Sequence, residues 1–244
     1  MPQNINKMNY AIIAAGNGER LCQDGIKTPK PLVKITNIPL IERLIKIFIN
    51  NDLESLSIII NEEMIEVKEF IDSLHLKIPV NLVVKSTPSS MHSFRELKHF
   101  LAEKKFCLTT VDTVFKEAEF AKYIQVFEND KTLDGLMAVT DYIDDEKPLY
   151  VTTNESLMIT GFEDNVNESD KKYISGGIYC LNPNALNSLE NCINQGMSKM
   201  RNYQRQLISD GFKLKAYPFS KIIDVDRVGD ISKANIFLSK IESV

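Results

Sequence analysis

Short apolar runs alternate with longer segments of helical periodicity along the first half of the chain. The apolar runs have the length of buried strands and cover residues 10–15, 56–60, 80–84 and 106–111. Between them, apolar residues recur at helical spacing in residues 38–50, 62–74 and 91–104. Apolar strands separated by helices are typical of a parallel sheet that is covered by helices on both faces. We therefore predict a three-layer α/β fold over residues 9–130.

The second half of the chain has a more mixed pattern. It predicts strands at residues 135–141, 148–153, 173–181 and 213–225, and helices at residues 183–195, 198–210 and 229–242. Polar residues at 164–172 indicate an exposed loop, and those at 1–7 indicate a loose tail. No linker rich in Pro, Gly or Ser separates the halves. We therefore predict one domain over residues 1–244, in which the second half completes the sheet and adds a small lid.

Composition narrows the class of protein. Charged residues make up 25% of the 244 residues and hydrophobic residues 43%, as in ordinary globular proteins. A formal net charge of −4 argues against a nucleic-acid partner, although a few cations in one cleft can still bind an anionic ligand. No apolar run approaches the ~20 residues of a membrane span. The four cysteines form no CxxC pair, so we expect no zinc site, no disulfide framework and a cytoplasmic location.

The most informative segment follows the first predicted strand. It reads AAGNGERL at residues 14–21, which we call the glycine loop, and continues with TPKPL at residues 28–32. The two glycines allow the backbone to turn and to direct N–H groups at phosphate oxygens. Arg20 and Lys30 add positive charge, and the prolines on either side of Lys30 stiffen the backbone that carries it. The pattern differs from the Rossmann and Walker A motifs, and it predicts a polyphosphate site.

Together, the glycine loop and the TPKPL segment resemble the signature of the sugar-1-phosphate nucleotidyltransferases, also called NDP-sugar pyrophosphorylases. The run from Val33 to Arg43 fits the family's usual continuation into the next helix. The resemblance implies a Rossmann-like, GT-A-type fold and a Mg²⁺-dependent enzyme that binds a nucleoside triphosphate (NTP) and a sugar 1-phosphate. In this family the sugar phosphate attacks the α-phosphorus and pyrophosphate leaves, so catalysis is alignment plus neutralisation of charge.

The resemblance also implies roles for individual residues. Arg20 and Lys30 match the family's catalytic cations, and Asp112 and Asp226 match its Mg²⁺ ligands, with Asp224 as the alternative to Asp226. Asp112 could instead cap a helix at residues 116–129. The nucleotide-binding matches lie in the glycine loop and in residues 86–90, which we call the serine loop: Ala14, Ala15, Gly16, Gly18, Ser86, Ser89 and Ser90.

The serine loop occupies the place at which the family reads the nucleobase, and a plain helix-capping turn also fits it. On the acceptor side, Glu163 and Gly177 match positions beside the sugar. The lysine that would meet the acceptor phosphate stays open between Lys171, Lys172 and Lys221. The family's glycine near residue 149 is absent, which indicates an unusual acceptor.

Three other functions stay open. One keeps the chemistry and changes the acceptor: a cytidylyltransferase that acts on a non-sugar phosphate such as choline phosphate or a polyol phosphate. Another is a non-catalytic nucleotide-binding regulatory protein, against which the retained charged residues argue. The third is a glycosyltransferase, but the Asp-x-Asp motif at residues 224–226 lies too near the C-terminus for that class. The sequence also leaves open the base, the pathway and the oligomeric state, a homo-oligomer included.

Overall fold

The structure is a computed structural model that describes residues 7–144, 147–167 and 172–239. The predicted tail lies outside these residues except for Lys7, as do Lys171 and part of the predicted loop at residues 164–172. The strands are β1 Met8–Ala14, β2 Lys34–Ile35, β3 Ile38–Pro39, β4 Leu53–Ile60, β5 Val80–Val84, β6 Phe106–Thr110, β7 Thr113–Val114, β8 Gly135–Thr140, β9 Tyr150–Thr153, β10 Ile159–Glu163, β11 Tyr173–Leu181, β12 Leu214–Phe219 and β13 Ile223–Asp224. The helices are α1 Glu19–Gln23, α2 Leu40–Ile49, α3 Ile65–Ser73, α4 Ser90–Leu101, α5 Glu117–Asn129, α6 Ala185–Asn194, α7 Met200–Ser209 and α8 Val228–Ser239, and a 3₁₀ turn spans Lys30–Leu32.

Within the described ranges, the main sheet has nine strands. Its order is β5–β4–β1–β6–β11, and β8 and β12 continue it beyond β11. The pairs β1–β4, β1–β6, β4–β5 and β8–β12 are parallel. β11 runs antiparallel to β6 and β8, and the β9–β10 hairpin joins the first residues of β11. All strands of this sheet except β10 and β11 therefore run in one direction, which confirms the predicted mostly parallel α/β fold.

Side chains along β1 alternate between two apolar layers. Tyr10 and Ile12 pack on one face of the sheet with helices α2, α3 and α5. Ala11 and Ile13 pack on the other face with α4, α6 and α7. Because successive strand residues point to opposite faces, a strand that is covered on both faces has to be apolar throughout. This is why continuous apolar runs of the first half coincide with β1, β4 and β6, whereas β5 lies at the edge of the sheet and is only partly buried.

The parallel strands bring their following loops to one edge of the sheet. The glycine loop follows β1, Asn61 follows β4 and Asp112 follows β6. The β9–β10 hairpin pairs with the first residues of β11, which lie beyond the carboxyl end of β6. The hairpin therefore lies at the same edge of the sheet. In α/β folds, ligands bind at the carboxyl ends of the parallel strands. The fold therefore gathers the motifs of the sequence where a ligand can reach them.

Two features of the second half differ from the prediction. The strand predicted at residues 213–225 is two strands, because β12 ends at Phe219 together with its partner β8 and the chain then leaves the main sheet. β13 pairs with β7 instead. The sequence pattern does not predict β10, because only two of its five side chains are buried.

The four cysteines are free thiols, of which Cys22 is exposed and the other three are buried. Over the described part of the chain, every helix is too short or too polar to cross a membrane.

Gly176 in β11 is a position at which the fold requires glycine. A Cβ there would lie 2.2 Å from Cδ1 of Ile222 and 3.2 Å from the carbonyl oxygen of Ala138. Replacing Gly176 by Ala forces Ile222 to move, and we expect this overpacking to lower the free energy of unfolding by about 1–3 kcal/mol. Gly229→Ala is the matched control, because nothing lies within 4 Å of a Cβ there and alanine favours helix α8 by up to about 1 kcal/mol.

Urea unfolding of both variants measures the two effects. Equal stabilities for the Gly176 and Gly229 variants would contradict the packing described for β11.

Candidate active site

Two acidic turns that are distant in the chain meet beyond the carboxyl end of β6. Asp112 lies between β6 and β7, and Asp226 follows β13. β7 and β13 pair antiparallel, and the Val225 N–H donates to the Asp112 carbonyl oxygen at 3.0 Å. The Asp230 carboxylate accepts from the N–H groups of Asp226 at 3.2 Å and Arg227 at 2.9 Å. These backbone contacts hold the two turns side by side.

Lys30 lies between the two carboxylates. Its Nζ contacts Asp112 Oδ2 and lies 2.6 Å from Asp226 Oδ1, while Arg20 Nη1 lies 3.0 Å from Asp226 Oδ2. The Lys30 side chain is only 9% exposed, so it is not an ordinary surface lysine. The 3₁₀ turn Lys30–Leu32 begins after Pro29 and carries a proline at its second position, which fixes the backbone of the lysine. We call the side chains of Arg20, Lys30, Asp112 and Asp226 the charge cluster.

Burial and charge act in opposite directions on the two buried members of the cluster. Burial by itself lowers the pKa of Lys30, but Asp112 and Asp226 outweigh it and raise the pKa above its usual value. Burial likewise raises the pKa of Asp112, but the Lys30 ammonium outweighs it and holds that pKa below its usual value. Both groups are therefore charged at neutral pH.

The glycine loop and the charge cluster line one cleft of about 480 Å³, which we call the first cleft. Gly18 has a φ of +64°, which favours glycine, and a Cβ there would lie 3.2 Å from the Cβ of Lys30. The glycine loop can therefore lie against Lys30. The lining includes members of the glycine loop, the charge cluster and the serine loop with its neighbours: Ala15, Gly16, Asn17, Gly18, Arg20, Lys30, Thr87, Ser89, Ser90, Ser93, Asp112 and Asp226.

The serine loop forms another wall of the first cleft and leads into α4. Ser89 caps this helix: its Oγ accepts from the His92 N–H at 3.4 Å and lies 2.8 Å from His92 Nδ1. The hydroxyl oxygens of Thr87 and Ser93 are 2.6 Å apart. The helix-capping interpretation is therefore confirmed for Ser89, and the same loop supplies hydroxyl groups to the wall of the cleft.

Two of the predicted nucleotide-binding residues do not line the first cleft. Ala14 is buried in β1, and Ser86 donates its hydroxyl to Asn61 Oδ1 at 2.9 Å. Neither Asn61 nor Ser93 is among the residues that the sequence predicts to bind nucleotide. The available signal for Asn61 was its position directly after a predicted buried strand, at the edge where ligands bind.

Asp112 and Asp226 offer the hard oxygen ligands that Mg²⁺ prefers. Asp112 Oδ1 is buried and has no hydrogen-bond partner within the described structure, and Asp112 is not a helix cap because Lys116 caps α5. Among residues 7–144, 147–167 and 172–239, no three or more His, Cys, Asp or Glu side chains form a complete metal site. Two carboxylates without a third protein ligand fit a metal that takes its remaining ligands from a phosphorylated molecule.

A second cleft of about 230 Å³ adjoins the first and shares Arg20 and Asp226 with it. Asp224 lines this second cleft and not the first, which distinguishes it from Asp226. The second cleft combines an apolar wall with charged side chains that the sequence analysis did not assign to a site: Tyr142, Leu149, Ile174, Ile222, Asp144, Arg227 and Lys233. The two clefts thus meet at the charge cluster.

The predicted acceptor residues Glu163 and Gly177 line neither cleft. Glu163 is exposed at the end of β10. A Cβ on Gly177, whose φ is +72°, would lie 3.5 Å from Oγ1 of Thr113, which places Gly177 beside the Asp112 turn. Their roles stay predictions.

Two of the three candidate lysines contact aromatic rings. Lys172 Nζ lies 5.0 Å from the ring centre of Tyr173, and Lys221 Nζ lies 3.6 Å from the ring centre of Tyr142. Tyr142 lines the second cleft, so Lys221 contacts a residue of that cleft without lining it. Lys171 is outside the described residues.

Residues 10–240 match the family model described as nucleotidyl transferase. The chain therefore belongs to the nucleotidyl transferase family, and it is an enzyme of that class. No curated protein is similar enough in sequence to count as a relative.

Solved structures of nucleotidyltransferases share the fold. The inositol-1-phosphate CTP transferase from T. maritima has a TM-score of 0.81 and 19% identity, over 98% of this chain and 97% of that one. A Bacillus anthracis protein described as a glucose-1-phosphate thymidylyltransferase, in complex with a sucrose, has a TM-score of 0.82 and 18% identity over 94% of each chain. The UTP-bound UGPase from Acinetobacter baumannii has a TM-score of 0.77 and 16% identity, over 95% of this chain and 93% of that one.

The charge cluster predicts how stability depends on pH. Lys30→Met removes the cation that opposes the effect of burial, so the pKa of Asp112 rises relative to wild type and only the hydrogen bonds of Thr110 and the backbone still act to lower it. We expect the metal-free variant to lose about 3 kcal/mol of stability near pH 7, because a partly buried carboxylate is left unpaired. A carboxylate with a lowered pKa stabilises the fold above its usual pKa of about 4 and loses this effect as the pH falls. A carboxylate with a raised pKa destabilises the fold while it is ionised and loses this effect as it takes up a proton. The stability difference between Lys30→Met and wild type should therefore shrink as the pH falls towards about 5.

Urea unfolding with a chelator present, at both pH values, measures this difference. A deficit that is equal at the two pH values would show that Lys30 stabilises the fold by packing and not by charge.

Proposed function

We propose that this protein is a Mg²⁺-dependent nucleotidyltransferase that transfers a nucleoside monophosphate from an NTP to a sugar 1-phosphate and releases pyrophosphate. The observation that carries the proposal is the convergence of Arg20, Lys30, Asp112 and Asp226 at one cleft beside the glycine loop. Membership of the nucleotidyl transferase family supports the reaction type. The names of the similar structures, which include glucose-1-phosphate and inositol-1-phosphate, support a small phosphorylated acceptor.

In this proposal the first cleft holds the NTP. The N–H groups of the glycine loop bind phosphate oxygens, and the serine loop lies against the base. Arg20 and Lys30 bind the phosphates and neutralise the negative charge that grows on the leaving pyrophosphate. Both cations are paired with Asp226 in the free protein, so the site is held in place before the nucleotide arrives.

Asp112 and Asp226 would hold the Mg²⁺ ion, which would supply positive charge to neutralise and orient the phosphates. The unpartnered Oδ1 of Asp112 supports this assignment, because a buried carboxylate oxygen without a partner is costly unless a ligand supplies one.

The acceptor enters through the second cleft. Because the two clefts share Arg20 and Asp226, a phosphate in the second cleft lies beside the α-phosphate of an NTP in the first. The acceptor phosphate is already an anion, so the attack requires alignment and not a general base. Glu163, Gly177 and Lys221 are proposed to act on the acceptor side. We also propose a cytoplasmic location, in keeping with the free cysteines.

Turnover with a matrix of NTPs and acceptors tests the function. The panel combines ATP, CTP, GTP, UTP and dTTP with sugar 1-phosphates, inositol 1-phosphate and choline phosphate, and it measures pyrophosphate release with and without Mg²⁺. Release with a sugar 1-phosphate supports the proposal. Release with choline phosphate or inositol phosphate alone favours the non-sugar acceptor, and no release with folded protein that binds NTP favours a regulatory role.

Variants of the charge cluster provide a sharper prediction. We expect Lys30→Ala and Asp112→Ala each to lower kcat/KM by at least ~10²-fold, the usual effect of losing a preorganised charge. Lys46→Ala and Asp72→Ala are matched controls, because both side chains are at least half exposed and form i,i+4 ion pairs on helix surfaces.

Pyrophosphate release under identical conditions compares all four variants. Rates close to wild type in both the Lys30 and Asp112 variants would remove the charge cluster from the mechanism.

A further inference from the structure

One buried amide connects the glycine loop to the serine loop. Asn61 directly follows β4, is 8% exposed and does not line the first cleft. Its Nδ2 donates to Asn17 Oδ1 at 2.8 Å. Its Oδ1 accepts from Ser86 Oγ at 2.9 Å and from the Glu63 N–H at 3.0 Å. The Asn61 side chain therefore contacts one residue of each loop.

These contacts fix the amide in one orientation. A carbonyl oxygen accepts two hydrogen bonds, and both positions on Asn61 Oδ1 are filled, one of them by the backbone of its own turn. The remaining contact, to Asn17, is made by the opposite end of the same amide. A shift of one loop relative to the other breaks a contact of Asn61, and because Asn61 is buried, leaving its amide without a partner is costly.

The environment of Ser86 supports the same connection. Thr87, Ser89 and Ser90 line the first cleft, whereas Ser86 does not, and its hydroxyl is directed to Asn61. At the other end, Asn17 lies in the glycine loop between the two glycines and does line the cleft. Asn61 thus joins Asn17, which lines the cleft, to Ser86, whose loop neighbours line it.

We propose that Asn61 is a positioning residue that sets the spacing between the glycine loop and the serine loop, so that one nucleotide can contact both loops at once. This inference rests on the proposed function, in which the glycine loop binds the phosphates and the serine loop lies against the base. Two linked groups bind more tightly than either alone only if their sites are held at the right separation. Asn61 therefore contributes to the affinity for the whole nucleotide and not to the affinity for its phosphate part.

The test compares a nucleotide with a fragment of it. Asn61→Leu has a similar volume and forms none of the three hydrogen bonds. We expect its affinity for the NTP, measured by calorimetry with Mg²⁺ for each of ATP, CTP, GTP, UTP and dTTP, to fall by about tenfold, as expected for a lost buried hydrogen bond. Its affinity for inorganic pyrophosphate should change by less than about twofold, because pyrophosphate needs only one loop.

Two further variants keep the inference testable if Asn61→Leu unfolds. Asn17→Ala removes the glycine-loop partner of Asn61 and also shortens a side chain that lines the cleft. A loss of NTP affinity without an equal loss of pyrophosphate affinity assigns its effect to the link with Asn61. Asn81→Leu is the matched control. Asn81 lies on β5 and donates a hydrogen bond to Ser57, and it contacts neither the glycine loop nor the serine loop through that bond. Its affinity for NTP should stay at the wild-type value.

A double-mutant comparison separates positioning from direct contact. If Ser86 acts through Asn61, Ser86→Ala weakens NTP binding in the wild-type background and has no further effect in the Asn61→Leu background. An equal loss in both backgrounds would mean that Ser86 contacts the base itself, and it would overturn the inference.

The outcomes also separate this inference from the proposed function. Wild-type protein that binds none of the NTPs contradicts the function. If the wild-type protein binds an NTP and both Asn61→Leu and Asn17→Ala bind it equally well, only the positioning role is contradicted. The same holds if the two variants lose as much affinity for pyrophosphate as for the NTP.

Discussion

Asp112 and Asp226 place two carboxylates side by side in a partly buried site, where their like charges repel unless a cation lies between them. The Lys30 ammonium supplies that cation by contacting both carboxylates, and Arg20 adds a second contact to Asp226. Other features of the structure position Lys30 and Asp112 for this contact. The prolines around Lys30 fix its backbone, Gly18 leaves room for its side chain, and the sheet delivers Asp112 to its position.

The short β7–β13 ladder has a larger effect than its four residues suggest. It brings a strand from the end of the chain against the turn that carries Asp112, and the Val225 N–H completes the contact. The carboxylate of Asp230 then orders the backbone of Asp226 from the first turn of α8. An acidic residue near a helix N-terminus is stabilised there by the helix dipole, so the same side chain supports both the helix and the site.

The charge cluster lies where two clefts with different walls meet. The first cleft has a backbone-rich wall at the glycine loop and a hydroxyl-rich wall at the serine loop, whereas the second is lined by apolar and charged side chains. Arg20 and Asp226 belong to both. Such an arrangement suits a reaction in which two anions have to be brought together, because their mutual repulsion is offset where the clefts meet.

The apolar runs by themselves determined the parallel strands, because a strand buried on both faces has few other sequences open to it. The glycine and TPKPL segments likewise indicated Arg20 and Lys30, since their spacing is local. Only the tertiary structure decided that β12 and β13 separate, that Asp226 and not Asp224 faces the first cleft, and that Asn61 joins two loops. Each of these depends on pairing between residues far apart in the chain, and a sequence pattern reports only on the neighbours of each residue.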